Sequence, residues 1–291
     1  MKRAPRRSPA SQRGVALLLV LWACTLLAIL LGGYAALART EGLQARYQFA
    51  GTQAHYAAEA GLMRAIYGLQ DPRIKRRWIG DGRPYPFTYD HASVVVRAID
   101  EDGKVDLNSA TPEVLQGLLH AAGLQPREAG ELVRHIVDWR SPPSLAGEVD
   151  SQRAAYAAAG RDYGPRHGPF VTVEELQLVL GMTPALYRQL APVLTIWSGS
   201  PSPNPNTAPP LALEAIPGMT PQQLAAIRAT RAKNASDPSL ALNNGTTHSI
   251  ESVATLADGT SAVLRATIRM QPGQAGEKPY AVLRWQEGKS E

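Results

Sequence analysis

The side chains most able to do chemistry are sparse and badly spaced for it. Six histidines stand at positions 55, 91, 120, 135, 167 and 248. No two share the His-Glu-x-x-His spacing that puts two imidazoles on one helical face toward zinc. The single cysteine, Cys24, excludes an intramolecular disulfide and a cysteine-rich zinc site. It sits inside an apolar run, where a thiol acts as a small hydrophobe. No Gly-x-Ser-x-Gly elbow and no phosphate-cradling glycine loop occurs. Tyr156, Tyr163, Trp139, Trp197 and Trp285 read as core or rim aromatics. The side chains point away from an enzyme and toward a structural or interaction protein.

The elements that carry these residues start with a membrane signal. Val15 to Ala38 is 24 residues without Asp, Glu, Lys or Arg. At 1.5 Å per residue such a helix covers the roughly 30 Å hydrocarbon layer. Residues 1–14 hold Lys2, Arg3, Arg6, Arg7 and Arg13 and no acid, so the N-terminus is expected to stay cytoplasmic. The remaining 277 residues carry 25 basic and 25 acidic side chains. The high pI of 9.4 thus belongs to the N-terminus, and no nucleic-acid partner is expected of the rest. A secretory signal peptide is one reading, with Ala36-Leu37-Ala38 as its cleavage site. Its apolar region would exceed the usual 7–15 residues or so. Cleavage at Arg13-Gly14-Val15 is the other reading: it removes the charges and keeps the helix.

Arg39 to Gln70 keeps helical periodicity, with an apolar line at Ala50, Ala54, Ala57, Gly61, Ala65 and Leu69. Asp71-Pro72 stops it. One helix over residues 15–70 would measure on the order of 84 Å. The stretch RGVALLLVLWACTLLAILLGGYAALARTEGLQARYQFAGTQAHYAAEAGLMRAI resembles the K class of type II secretion minor pseudopilins. In pilin-type proteins the fifth mature residue is usually glutamate, thought to pair with the preceding subunit's N-terminal amine. Here Leu19 stands there, an absence shared with the K class, which is understood to cap the pseudopilus tip. A tip subunit has no earlier amine to neutralise a carboxylate held in lipid.

The resemblance continues along the chain. VDLNSATPEVLQGLLHAAGLQPREAGELVRHIVDWR (105–140), PFVTVEELQLVLGMTPALYRQLAPVLTIW (169–197) and NPNTAPPLALEAIPGMTPQQLAAIRATR (204–231) match the K-class helical insert and its flanks. Two of them place Asn, a small residue and Thr before Pro, as N-caps require. Ser93–Ile99, Ser249–Leu256, Thr260–Met270 and Tyr280–Gln286 read as strands, with Asp258-Gly259 as a hairpin turn. Ser198–Pro210, with its five prolines, reads as a linker. Segments 71–90 and 140–168 are the least matched. Some K-class members bind calcium after an Asp-Trp pair. Here Asp138-Trp139 is followed by few acids, and the candidates are Glu148, Asp150, Asp162 and Glu174, with Glu175 beside them and the acidic turn Asp100–Asp102 as a second place. Calcium takes six to eight oxygens, so these would have to converge.

The resemblance implies an α+β fold. A pilin-like transmembrane helix and antiparallel sheet would hold a large inserted all-α domain of helix-hairpin-helix or SAM-like type. The expected layout is a cleaved leader over 1–14, a long helix over 15–70 with 15–38 in the membrane, a body from 71–104 and 199–291, and an insert over 105–198. A prepilin peptidase would cut between Gly14 and Val15 and methylate the new amine. The mature chain would meet I- and J-class minor pseudopilins through Ala50, Ala54, Ala57, Gly61 and Ala65. It would start and cap the periplasmic pseudopilus, anchored in the inner membrane, its insert facing the outer-membrane channel or an exported protein. A rival reading rests on Glu214–Pro221, which resembles a DNA-binding helix-hairpin-helix. Arg228, Arg231 and Lys233 would then contact phosphates.

Overall fold

The computed structural model describes residues 13–143, 145, 147–233, 244–271 and 278–288. The leader charges at positions 2, 3, 6 and 7 lie outside them. The chain divides into two compact units, residues 1–53 and 54–291. Helix α1, Arg13–Leu69, runs through the boundary. In the first unit every described side chain from Val15 to Phe49 is exposed. The helix is long and apolar enough there to cross a membrane.

In the second unit the C-terminal part of α1 lies on a five-stranded antiparallel sheet. Its strands are β1 (Asp81–Tyr89), β2 (Ala92–Asp100), β5 (Thr247–Thr255), β6 (Ser261–Met270) and β7 (Tyr280–Gly288), in spatial order β1-β2-β5-β6-β7. The alternation of β2 puts Ala92, Val94, Val96 and Ala98 on the helix side. Ala57, Ala58, Leu62, Ala65, Ile66 and Leu69 of α1 close on them and on Ile250, Ala254, Leu264 and Ile268. Small residues let the helix come close. A Cβ added at Gly61 would lie against Ser252 Oγ and 2.9 Å from Val94 Cγ1. Asp71 ends the helical segment: its carboxylate takes the Arg73 N–H and guanidinium, and Trp78 N donates to Gly68 O at 2.9 Å. Trp78 then stacks on Tyr85 with centroids 4.0 Å apart.

Strand β1 lies in the segment for which the sequence offered no assignment. Pro84 and Pro86 hide it, because proline cannot donate to a ladder and survives only at a sheet edge, where β1 sits. The strands read from β-branched alternation all form, and Asp258-Gly259 turns β5 into β6, with Gly259 at φ +86°.

The helical insert leaves β2 and returns to β5, its direct neighbour. Its two ends are tied by a short parallel ribbon, β3 (Val105–Asp106) beside β4 (Leu194–Thr195). Asp106 reinforces the tie. One carboxylate oxygen accepts the N–H of Asn108 and Ser109, the other accepts Gly199 N–H at 2.8 Å and Ser198 Oγ. Between β3 and β4 come α2 (Pro112–Ala121), α3 (Pro126–Arg140), α4 (Glu148–Ala158) and α5 (Pro184–Leu190). After β4 follow α6 (Pro210–Glu214) and α7 (Pro221–Lys233). A single device starts three of these helices. Gly123, Gly181 and Gly218 adopt φ of +96°, +89° and +75°, each three residues before the proline that opens α3, α5 or α7. The left-handed turn reverses the chain and proline pre-sets the next helix. Thr183 Oγ1 caps α5 and Thr220 Oγ1 caps α7, with Gln223 returning a bond to Thr220 N.

The insert has its own core, separate from the helix–sheet core. Leu115, Leu118, Leu119, Leu132, Ile136, Trp139, Tyr156, Phe170, Leu176 and Leu190 are buried in it. That core also takes in Ala208, Ala212, Leu213 and Ala215, with Leu224 and Ile227 packed against it. The helical body therefore extends to α7 and does not stop at residue 198. The proline-rich segment read as a linker packs back instead: Thr111 N donates to Pro201 O at 3.1 Å, and Asn204 N donates to Asp102 O at 2.7 Å.

Candidate assembly surfaces and the junction of the insert

The Gly14–Val15 bond lies at the start of α1, and Val15 and Leu19 are exposed along it. The apolar line expected to meet partners has another use. Ala54, Ala57 and Ala65 are buried and Gly61 touches β2 and β5. This is a correction: three-and-four periodicity finds the buried face of a helix, and here the chain's own sheet covers it. Ala50, half-buried, falls in the first unit. The opposite face of the same segment shows Tyr56, Met63 and Tyr67, at 62, 40 and 72% exposure. Such large apolar side chains at helical spacing, left open to solvent, are what an assembly surface looks like.

The four calcium candidates do not assemble. Glu148 Oε2 accepts Leu145 N–H ahead of its own helix. Asp150 and Asp162 are exposed on α4 and on the loop after it. Glu174 is paired with Arg284 at 2.7 Å, and Glu175 with Arg166 at 2.8 Å. No group of three or more His, Cys, Asp or Glu among the described residues could hold a metal ion. The donor set does not fit an ion that needs six to eight oxygens.

The acidic turn Asp100–Asp102 has a structural use. Asp100 is fully buried. Its Oδ1 accepts Asp102 N–H, and its Oδ2 accepts Gly245 N–H at 2.9 Å and Thr207 Oγ1 at 3.2 Å. One carboxylate thereby clasps the start of the insert, its return segment and the approach to β5. Asn204 N donates to Asp102 O at 2.7 Å, and Glu101 pairs with Lys104 at 2.6 Å, both nearly dry. Burial pushes the Asp100 carboxyl above its usual range. Asp102 is pushed up to about 6, by burial first and then by the charges of Asp100 and Glu101. Opposite Asp100 in the ladder stands His248, buried, with neither ring nitrogen hydrogen-bonded. Burial lowers it to about 4. Sequence reasoning saw His248 only as one of six histidines; the strand register that faces it to Asp100 was the missing signal.

The residues of the DNA reading are engaged inside the protein. Arg228 pairs with Glu214 at 2.6 Å, and Arg231 donates to the carbonyls of Ala208 and Pro205. The Lys233 side chain lies outside those described. His135 Nδ1 bonds Leu180 O at 2.9 Å and so ties α3 to the turn before α5.

Comparison with known proteins bears on this architecture directly. Residues 94–199 match the family model for type II secretion system (T2SS) protein K. The matched span takes in most of β2, the turn Asp100–Asp102 and the insert as far as β4. A type II secretion system protein K from Klebsiella pneumoniae is 28% identical over 244 residues, covering 75% of this chain and 73% of the relative. A chain in the crystal structure of the GspK-GspI-GspJ complex from the enterotoxigenic Escherichia coli type 2 secretion system shares the fold. Its TM-score is 0.56 at 17% identity, with 87% of this chain and 100% of that one covered. The matched span, the similarity along three quarters of the length and the shared fold agree in one direction: this chain is similar to protein K of the type II secretion system.

Proposed function

We propose that this chain starts and caps the pseudopilus, as a structural and non-enzymatic subunit. The observation that carries this is the placement of the insert: a whole helical body between two neighbouring strands of a pilin-type sheet. A body of that size on a subunit's head occupies the space of a next subunit, since folded proteins do not interpenetrate. The related complex of GspK with GspI and GspJ supports I- and J-class minor pseudopilins as partners. The face of α1 with Tyr56, Met63 and Tyr67 is their docking surface in this reading. A prepilin peptidase would remove residues 1–14 and methylate Val15. The anchor would lie in the inner membrane and the body in the periplasm. The insert would face the outer-membrane channel or the exported protein.

Because β2 and β5 are adjacent and antiparallel, a short Gly/Ser hairpin can replace residues 105–233 without parting the sheet. The shortened chain should still enter the membrane and bind its partners, and pseudopili should grow longer. Pseudopili of unchanged length would remove the capping role.

A further inference from the structure

A groove of about 410 Å³ opens between α3 and the start of α5. Its apolar floor comes from Leu124, Leu132 and Leu186, and Glu128 and Glu131 of α3 stand along it. The two glutamates are exposed, and no Lys or Arg lines the groove. Arg127 reaches one of them, Glu131, at 3.3 Å across the exposed helix surface, where such a pair contributes little. The helical body as a whole, residues 105–233, is close to neutral, with eleven acidic and ten basic side chains, so the groove's sign is set locally by these two glutamates.

We infer that this groove docks a basic amphipathic segment of a partner protein, one with a leucine-sized side chain beside Lys or Arg. The floor takes the apolar side chain. The aliphatic stem of a Lys or Arg lies along the leucines while its charge reaches Glu128 and Glu131. Charge complementarity selects this occupant: an acidic segment, or the same glutamate-lined groove of a second copy, would bring like charges together at an apolar contact. The inference stands on the insert's own surface and does not depend on pseudopilus assembly.

The test uses the detergent-solubilised full chain and a fluorescein-labelled peptide, Lys-Leu-Leu-Arg-Lys-Leu, read by anisotropy. A peptide with Glu in place of each Lys and Arg is the comparison. The basic peptide should bind and the acidic one should not. E128Q/E131Q should weaken binding about tenfold, as should higher ionic strength. D150N/D162N removes two charges elsewhere on the insert and should leave binding intact. Equal weakening by both double variants would mean diffuse attraction without a groove and would overturn the inference. So would absence of binding by the basic peptide. All four substituted positions are exposed, so folding is not at stake, and circular dichroism of each variant checks that.

Discussion

At the scale of single residues, four positions carry demands that can be measured. Gly61 has no room for a side chain between Val94 and Ser252. Gly61→Val should cost about 1–3 kcal/mol by overpacking. It should lower the thermal midpoint by roughly 2–4 °C per kcal/mol for a domain of this size; an unchanged midpoint would mean the seam is loose. Asp102 and His248 pull in opposite directions with pH. The Asp102 carboxyl is raised to about 6 from 3.8, so its contribution is fully present below about 3.8 and lost as pH rises through 6. His248 is lowered to about 4 from 6.5, so its contribution is present above about 6.5 and lost as pH falls toward 4. Between pH 6 and 4 the two act in opposite directions, with Asp100, also raised by burial, on the side of Asp102. Asp102→Asn removes the first and leaves the second, so the variant should lose stability on acidification more steeply than the parent. Parallel melting curves across that window would argue against the pairing. Leu19 stands four residues into the apolar stretch, where Leu19→Glu should cost insertion free energy, at most about 2.5–3.5 kcal/mol as for a charge at the helix centre, seen as a smaller membrane-integrated fraction.

At the scale of elements, α1 divides its faces between the fold and assembly. Tyr56→Ser with Tyr67→Ser should leave the melting curve nearly unchanged and reduce co-purification with I- and J-class partners. Retained co-purification would move the interface off this face. The same helix shows what a sequence does and does not disclose. Its apolar line was legible in the spacing of Ala54, Ala57, Gly61 and Ala65, because helical period and burial are linked. What covers that line was not legible, because burial by a sheet and burial by another protein demand the same small residues. β2, β5, β6 and β7 were readable from β-branched alternation. β1 was not, because Pro84 and Pro86 are edge residues that imitate a loop. The segment from Ser198 to Pro210 deceived in the same way. Its prolines end helices, yet its backbone docks on the N-cap of α2 through Thr111 and on the acidic turn through Asp102.

At the scale of the whole molecule, two separate hydrophobic cores and a polar clasp describe a pilin-type body with a second body grafted into it. The clasp was hidden in the sequence, since Asp100, Thr207 and Gly245 are brought together only by the fold. The carboxylates that suggested calcium are spread over α4, its following loop and an ion pair with Arg284. A chelator such as EGTA should therefore leave the thermal midpoint where it is, and a fall restored by added calcium would contradict that reading. Tip placement is the claim on which the rest of the functional account turns. The direct measurement is electron microscopy of sheared pseudopili labelled with a gold-conjugated antibody fragment against the helical insert. The account predicts gold at one end of each filament only. Gold along the shaft, or filaments with no label at either end, would contradict it.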